Sequence, residues 1–144
     1  MAKMSGFFAV LVLINAPLAL ACPNLTGTYK CDSGTTKVSQ QEVDGVTEYT
    51  MNFGEDFYTV KADGKAYSMP DREEIKKATI QATCLSDVEL AAVVKGKYYS
   101  EGTEAGDLQL NVDALKLSNG NLKQKSEIVI GDQKLESEET CVRQ

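Results

Sequence analysis

The sequence contains no histidine and no tryptophan. Without an imidazole to carry the proton, Ser-His-Asp and Cys-His nucleophilic catalysis are excluded. Zinc sites built on histidine are excluded too, and the four cysteines include no C-x-x-C pair to hold the ion. No Gly-rich phosphate loop, P-loop or EF-hand loop occurs. Beyond residue 21 no apolar run approaches the length of about 20 residues that a membrane-spanning helix needs. Basic charge is in deficit, with 15 Lys and Arg against 21 Asp and Glu and a net charge of −6. Such a surface repels phosphate backbones, which argues against nucleic acid and anionic lipid as partners.

The one strongly apolar segment is at the start. Lys3 precedes the run Phe7 to Ile14, Asn15-Ala16-Pro17 breaks it, and Ala19-Leu20-Ala21 fits the small-x-small rule of signal peptidase. This order of features predicts a signal peptide over 1–21 and a mature domain over 22–144, secreted or periplasmic. A cysteine at position 22 admits a second reading, a lipoprotein acylated there. The Ala19-Leu20 order reverses the usual lipobox preference, and lipidation would leave an odd thiol among Cys22, Cys31, Cys84 and Cys141. An even set fits disulfides in an oxidising compartment and a free, soluble protein.

Along the mature chain, turn-forming pairs recur: Ser33-Gly34, Asp44-Gly45, Asp63-Gly64, Asn119-Gly120 and Gly131-Asp132. Asn-Gly and Asp-Gly favour the tight turns of β-hairpins, where positive φ is needed. Between the turns, residues alternate. Thr47, Tyr49, Met51 and Phe53 share a face, as do Ala78, Ile80, Ala82 and Cys84, then Val88, Leu90, Ala92 and Val94, then Leu108, Leu110 and Val112. Side chains two apart point the same way on a strand, so each segment has one buried and one wet face. Strands are predicted over 25–31, 35–43, 46–53, 56–61, 65–69, 78–85, 87–95, 107–117, 121–130 and 133–142. A helical turn is predicted over 69–77, with Pro70 at its first position, and the longest polar loop over 95–107. Sequential strands joined by tight turns expose two edges unless the sheet closes. The expected fold is therefore all-β: an antiparallel up-and-down barrel of about 8–10 strands. A sandwich is the second choice.

"NLTGTYKC" opens the first strand and resembles the G-x-W motif on the first strand of lipocalin and fatty-acid-binding (calycin) barrels, here in a bacterial secreted form. Gly27 and Tyr29 stand at its Gly and Trp positions, and Arg143 follows the last strand, where many lipocalins place a basic side chain over that ring. The resemblance implies a lipocalin-like barrel that carries a small, largely apolar ligand.

Tyr49, Met51, Phe53, Ile80 and Leu90 are the candidate cavity residues, with small walls at Ala78, Ala82 and Ala92 leaving room beside them. The alternative is a solid barrel acting as a surface interaction or inhibitor module. Tyr98 and Tyr99, in the expected 95–107 loop, are its candidate recognition residues, since tyrosine suits interfaces. Among the carboxylates, Glu55-Asp56 and Glu136, Glu138 and Glu139 are densest. Glu136 and Glu138 on one strand face could hold calcium loosely, but a solvated acidic face that guards against edge pairing is the expectation. No carboxylate pair identifies a hydrolase. No enzyme activity, catalytic residue, metal or cofactor is expected, and the protein is expected to be a monomer. Asn24–Thr26 is a glycosylation sequon if the host is eukaryotic.

Four cysteines allow three pairings. Cys84 and Cys141 end the sixth and tenth predicted strands, which run the same way, so their bridging is expected. Cys22–Cys31 then follows by parity, with the chain turning back at Pro23-Asn24. Cys22–Cys141 with Cys31–Cys84 is the alternative if the first strand starts directly after Cys22.

Overall fold

The structure is a computed structural model that describes residues 21–53 and 56–144. The predicted signal peptide up to residue 20, and Glu55 of the first acidic pair, lie outside the described residues. Ten strands follow one another: β1 Gly27–Cys31, β2 Gly34–Val43, β3 Val46–Phe53, β4 Asp56–Lys61, β5 Asp63–Ser68, β6 Ile75–Cys84, β7 Glu89–Ser100, β8 Thr103–Lys116, β9 Leu122–Ile130 and β10 Gln133–Arg143. Each pairs antiparallel with its neighbours in one sheet of order β4-β3-β2-β1-β10-β9-β8-β7-β6-β5. Pairing of β1 with β10 joins the two ends of the chain. The only ladder missing among the described strands is β4 to β5, so the up-and-down barrel is nearly closed.

The turns follow from the residues that form them. Asp44 and Gly45 have φ of 52° and 77°, and Glu101 and Gly102 have φ of 50° and 79°. Both pairs take the left-handed backbone that lets a two-residue hairpin match the twist of its strands.

The alternating faces lie where the sequence predicts. Tyr49 and Thr47 of β3, Ala78, Ala82 and Cys84 of β6, Leu90 and Val94 of β7 and Leu108 of β8 are buried. The core is small-residued along β6 and β7 and is filled from the opposite wall by Tyr29, Tyr49, Val38 and Val60. Val88 is the exception, lying in the exposed β6–β7 turn.

Two local expectations are corrected. The stretch 69–77 holds no helix: residues 69–74 form a bent connection and Ile75 already belongs to β6. The Asp71 carboxylate accepts from the Lys77 N–H, and Lys77 has φ of 52° at an irregularity in the β6–β7 ladder. Its charged residues reflect a solvated edge rather than a helix face. The stretch 95–107 is not a loop but the upper β7–β8 hairpin, turning only at Glu101-Gly102. Its inward positions include Gly96 and Gly106 on either side of Tyr98, so glycines interrupt the apolar alternation that would mark a strand.

The disulfide pairing is also corrected. Cys22 bonds to Cys84 and Cys31 to Cys141, the third of the three possible sets. Cys84 and Cys141 do lie at one rim. The decisive contact is instead the β1–β10 seam, which brings Cys31 opposite Cys141. Cys22 is then left for Cys84, reached by an N-terminal segment that crosses the barrel mouth rather than folding back.

Candidate functional site

The lower mouth of the barrel is plugged from within. Pro23 and Leu25 are buried beneath the two largest core residues, Tyr29 and Tyr49, each 0% exposed. The Tyr49 hydroxyl donates to the Pro23 carbonyl at 2.6 Å and the Tyr29 hydroxyl to the Leu25 carbonyl at 2.9 Å. These bonds satisfy the phenols and carbonyls of an otherwise apolar plug, which burial would leave costly if unmade. Burial pushes the Tyr49 hydroxyl up to about 12. It also raises that of Tyr29, against which the Arg143 charge acts. Arg143 is the direct cross-strand partner of Tyr29. A Cβ on Gly27 would stand 3.2 Å from Arg143 Nε, so the glycine leaves space for the guanidinium stem.

Above the plug lies a cavity of about 50 Å³, lined among others by Leu25, Val38, Tyr49, Met51, Leu90 and Val112. The sequence-predicted residues Tyr49, Met51 and Leu90 meet there. Ile80 packs on the same core but is not part of the lining, and the Phe53 side chain lies outside the described residues. Sites for ligands of drug size occupy roughly 300–1,000 Å³. The alanines at 82 and 92 do not leave a hollow, because Tyr29 and Tyr49 fill the space from across the barrel.

The tyrosine pair is split. Tyr98 lies on the same face of β7 as Gly96, facing the barrel, while Tyr99 faces outward. Both are half-buried, and the Lys76 ammonium sits 4.7 Å from the centre of the Tyr99 ring. They do not form one recognition patch.

An open hollow of about 600 Å³ lies on the outer wall of β8–β10, with Asn111, Asp113, Lys125, Glu127, Glu136 and Glu138 along it. Register aligns Asp113, Lys125 and Glu138 in one row and Asn111, Glu127 and Glu136 in the next. Lys134 bonds Glu127 and Glu136, each at 2.8 Å, and Lys123 and Lys125 lie 3.0 and 3.6 Å from Glu138. The hydrogen bond from Lys134 holds the Glu127 carboxyl below its ordinary range, and that from Lys123 does the same for Glu138. Glu136 and Glu138 thus face lysines, which compete with any cation. The sequence marked Glu136, Glu138 and Glu139 as a solvated acidic face; the lysines that face Glu138 come from the register of β9 against β10, and Lys134 reaches Glu136 along β10 itself.

Glu139 comes close to Cys31 and Cys141. Both sulfurs are in a disulfide, and the carboxylate accepts from the Asp32 N–H and from the Ser33 N–H and hydroxyl. It caps the β1–β2 turn and offers no ligand set for a metal. Cys22, bridged to Cys84, has no thiol left for a lipid thioether while that bond stands. No helix among the described residues is long and apolar enough to cross a membrane.

No protein-family model matches the chain, and no curated protein matches it.

Proposed function

We propose that the mature protein is an exported, solid β-barrel that acts through its outer surface as an interaction or inhibitor module, and does not carry a small apolar ligand. The observation behind this reading is the filled core: Tyr29, Tyr49 and the 22–26 plug are buried in it, and the cavity beside them measures about 50 Å³. Two disulfides across the rim and the seam suit an exported module that keeps its shape outside the cell. Its working surface is the outer wall of β8–β10, where paired carboxylates and lysines present a fixed pattern of both signs. Such patterns select partners and set their register more than they add affinity.

Native mass spectrometry of the exported protein, alone and after incubation with a long-chain fatty acid, tests the reading. The expected spectrum shows the unliganded mass in both samples. A one-to-one complex that Leu90→Trp abolishes in a folded variant would return the carrier reading. Capture of partners from the surrounding medium by wild type and by Lys134→Glu gives the second arm. Recovery that is identical for both would remove the β8–β10 wall from consideration.

A further inference from the structure

The β10 strand is paired on both sides for only part of its length. β1 has five residues and pairs with β10 at Tyr29–Arg143 and Lys30–Val142, while β9 pairs with β10 along its whole run from Gln133 to Cys141. Above Cys141, only the β1–β2 turn approaches β10, through the Glu139 side chain. Residues 133–138 are exposed, and Leu135 stands out at 67%. Among the described residues, no strand covers this edge.

The direction of the backbone groups on that edge can be read from their neighbours. Arg143 N–H points to Asn121, on the β9 side, and Gln144 N–H to the Thr28 carbonyl of β1. Along an antiparallel strand these directions alternate. Odd-numbered residues therefore bond toward β9, and Lys134, Glu136 and Glu138 aim their N–H and C=O groups at the open edge. The Cys31–Cys141 pair agrees, with its Cα atoms 4.2 Å apart as in a non-hydrogen-bonded pair.

We propose that this edge pairs antiparallel with the same edge of a second copy of the chain, on a two-fold axis at Leu135. Charge selects the register. Centred on Leu135, Lys134 of each copy faces Glu136 of the other, in hydrogen-bonding positions, and the two exposed Leu135 side chains meet at the close, non-hydrogen-bonded position. Centred on Glu136, that carboxylate would face its own copy. Centred on Ser137, Glu136 would face Glu138. Centred on Lys134, the two ammonium groups would meet. Of these four registers only the one centred on Leu135 sets no like charges opposite each other within β10 itself, the acidic Asp132–Glu138 pair falling beyond the strand at the turn, and like charges directly opposite are destabilising. Charged edges ordinarily deter pairing, but here Lys134 and Glu136 complement each other across the two-fold axis. The pairing would extend β5–β10 across two barrels. It holds whatever the interior contains, so it does not depend on the solid-barrel reading.

Sedimentation velocity of the purified exported protein over a concentration series tests it. The expected result is a monomer–dimer equilibrium that Glu136→Lys weakens by roughly 100-fold, since both symmetric pairs become repulsive. The double variant Lys134→Glu/Glu136→Lys restores the opposite pairing and should recover the dimer, while circular dichroism confirms that all three chains fold. A Leu135→Cys chain should form an intermolecular disulfide through that position under mild oxidation, found by peptide mapping. A wild-type protein that stays monomeric at millimolar concentration would overturn the proposal. So would a dimer indifferent to Glu136→Lys, or one that the charge swap fails to restore.

Discussion

Cys31 and Cys141 sit opposite each other across the β1–β10 seam, their Cα atoms 4.2 Å apart, so one covalent bond fastens the place where the first strand meets the last. Peptide mapping under non-reducing conditions should recover Cys31 linked to Cys141 and Cys22 linked to Cys84. The first bond closes a sequence separation of 110 residues. Chain entropy gives such a bond a stabilisation of about 4–5 kcal/mol, so Cys31→Ser/Cys141→Ser should lose most of that in urea unfolding. The seam has only a short ladder of its own to fall back on.

Tyr49 gives an alkaline signature. Its folded hydroxyl is raised to about 12 by burial, against the ordinary value of 10.0. The stability it contributes is complete below 10 and is lost as pH rises toward 12, because the unfolded phenol ionises first. Tyr49→Phe should remove that part of the alkaline decline. At neutral pH the same variant should lose about 1–2 kcal/mol, since the Pro23 carbonyl loses its donor. Thermal melts at pH 7 and pH 11 separate the two effects.

Gly96 is a close-approach position. A Cβ there would meet the Ala78 Cβ at 2.9 Å and the Lys76 carbonyl at 3.1 Å. Gly96→Ala should cost about 1–3 kcal/mol, the usual range for overpacking. Adding Ala78→Gly should return part of it, because the Lys76 carbonyl still crowds the new methyl. Urea midpoints of the three proteins check the ordering.

The Lys134 ammonium grips Glu127, whose carboxyl is held below the ordinary 4.5 first by that hydrogen bond. The associated stability is present above 4.5 and disappears as pH falls through the depressed folded value. Lys134→Ala should move the Glu127 titration, followed by carboxyl-resolved NMR, back toward the ordinary range. A Glu127 titration unchanged by the substitution would show that the pair is not formed in solution.

How far these features could be read from the chain depends on what each required. The face shared by Thr47, Tyr49 and Met51 was visible because the strand is regular and its turn at Asp44-Gly45 is strongly marked. The barrel followed from the same logic, repeated. The 95–107 hairpin was hidden because glycines stand at its inward positions: at Gly96 close packing against Ala78 leaves no room for a side chain, and Gly106 has a φ of 144° that favours glycine. The 69–77 stretch looked helical because its Asp, Arg, Glu and Lys residues cluster behind a proline, a pattern that a solvated bend also produces. The disulfides failed for a different reason. Their pairing depends on which strands meet when the sheet closes, and β1 against β10 is a relation between the chain's extremes that no local pattern encodes. The small cavity was likewise beyond reach, since it depends on whether tyrosines from one wall occupy the space the alanines of the other leave.

The two bridges interleave along the chain: Cys22, Cys31, Cys84 and Cys141 join first to third and second to fourth. A protease that makes a single cut anywhere between positions 22 and 141 therefore cannot release a fragment, because at least one bridge always spans the break. A nicked molecule stays in one covalent piece, heavier only by the water that hydrolysis adds, and its sheet stays laddered around the break. Two cuts are needed before any piece can leave, and the second must fall while the first piece is still held in place. Damage at one exposed turn would thus leave the β8–β10 wall as it was.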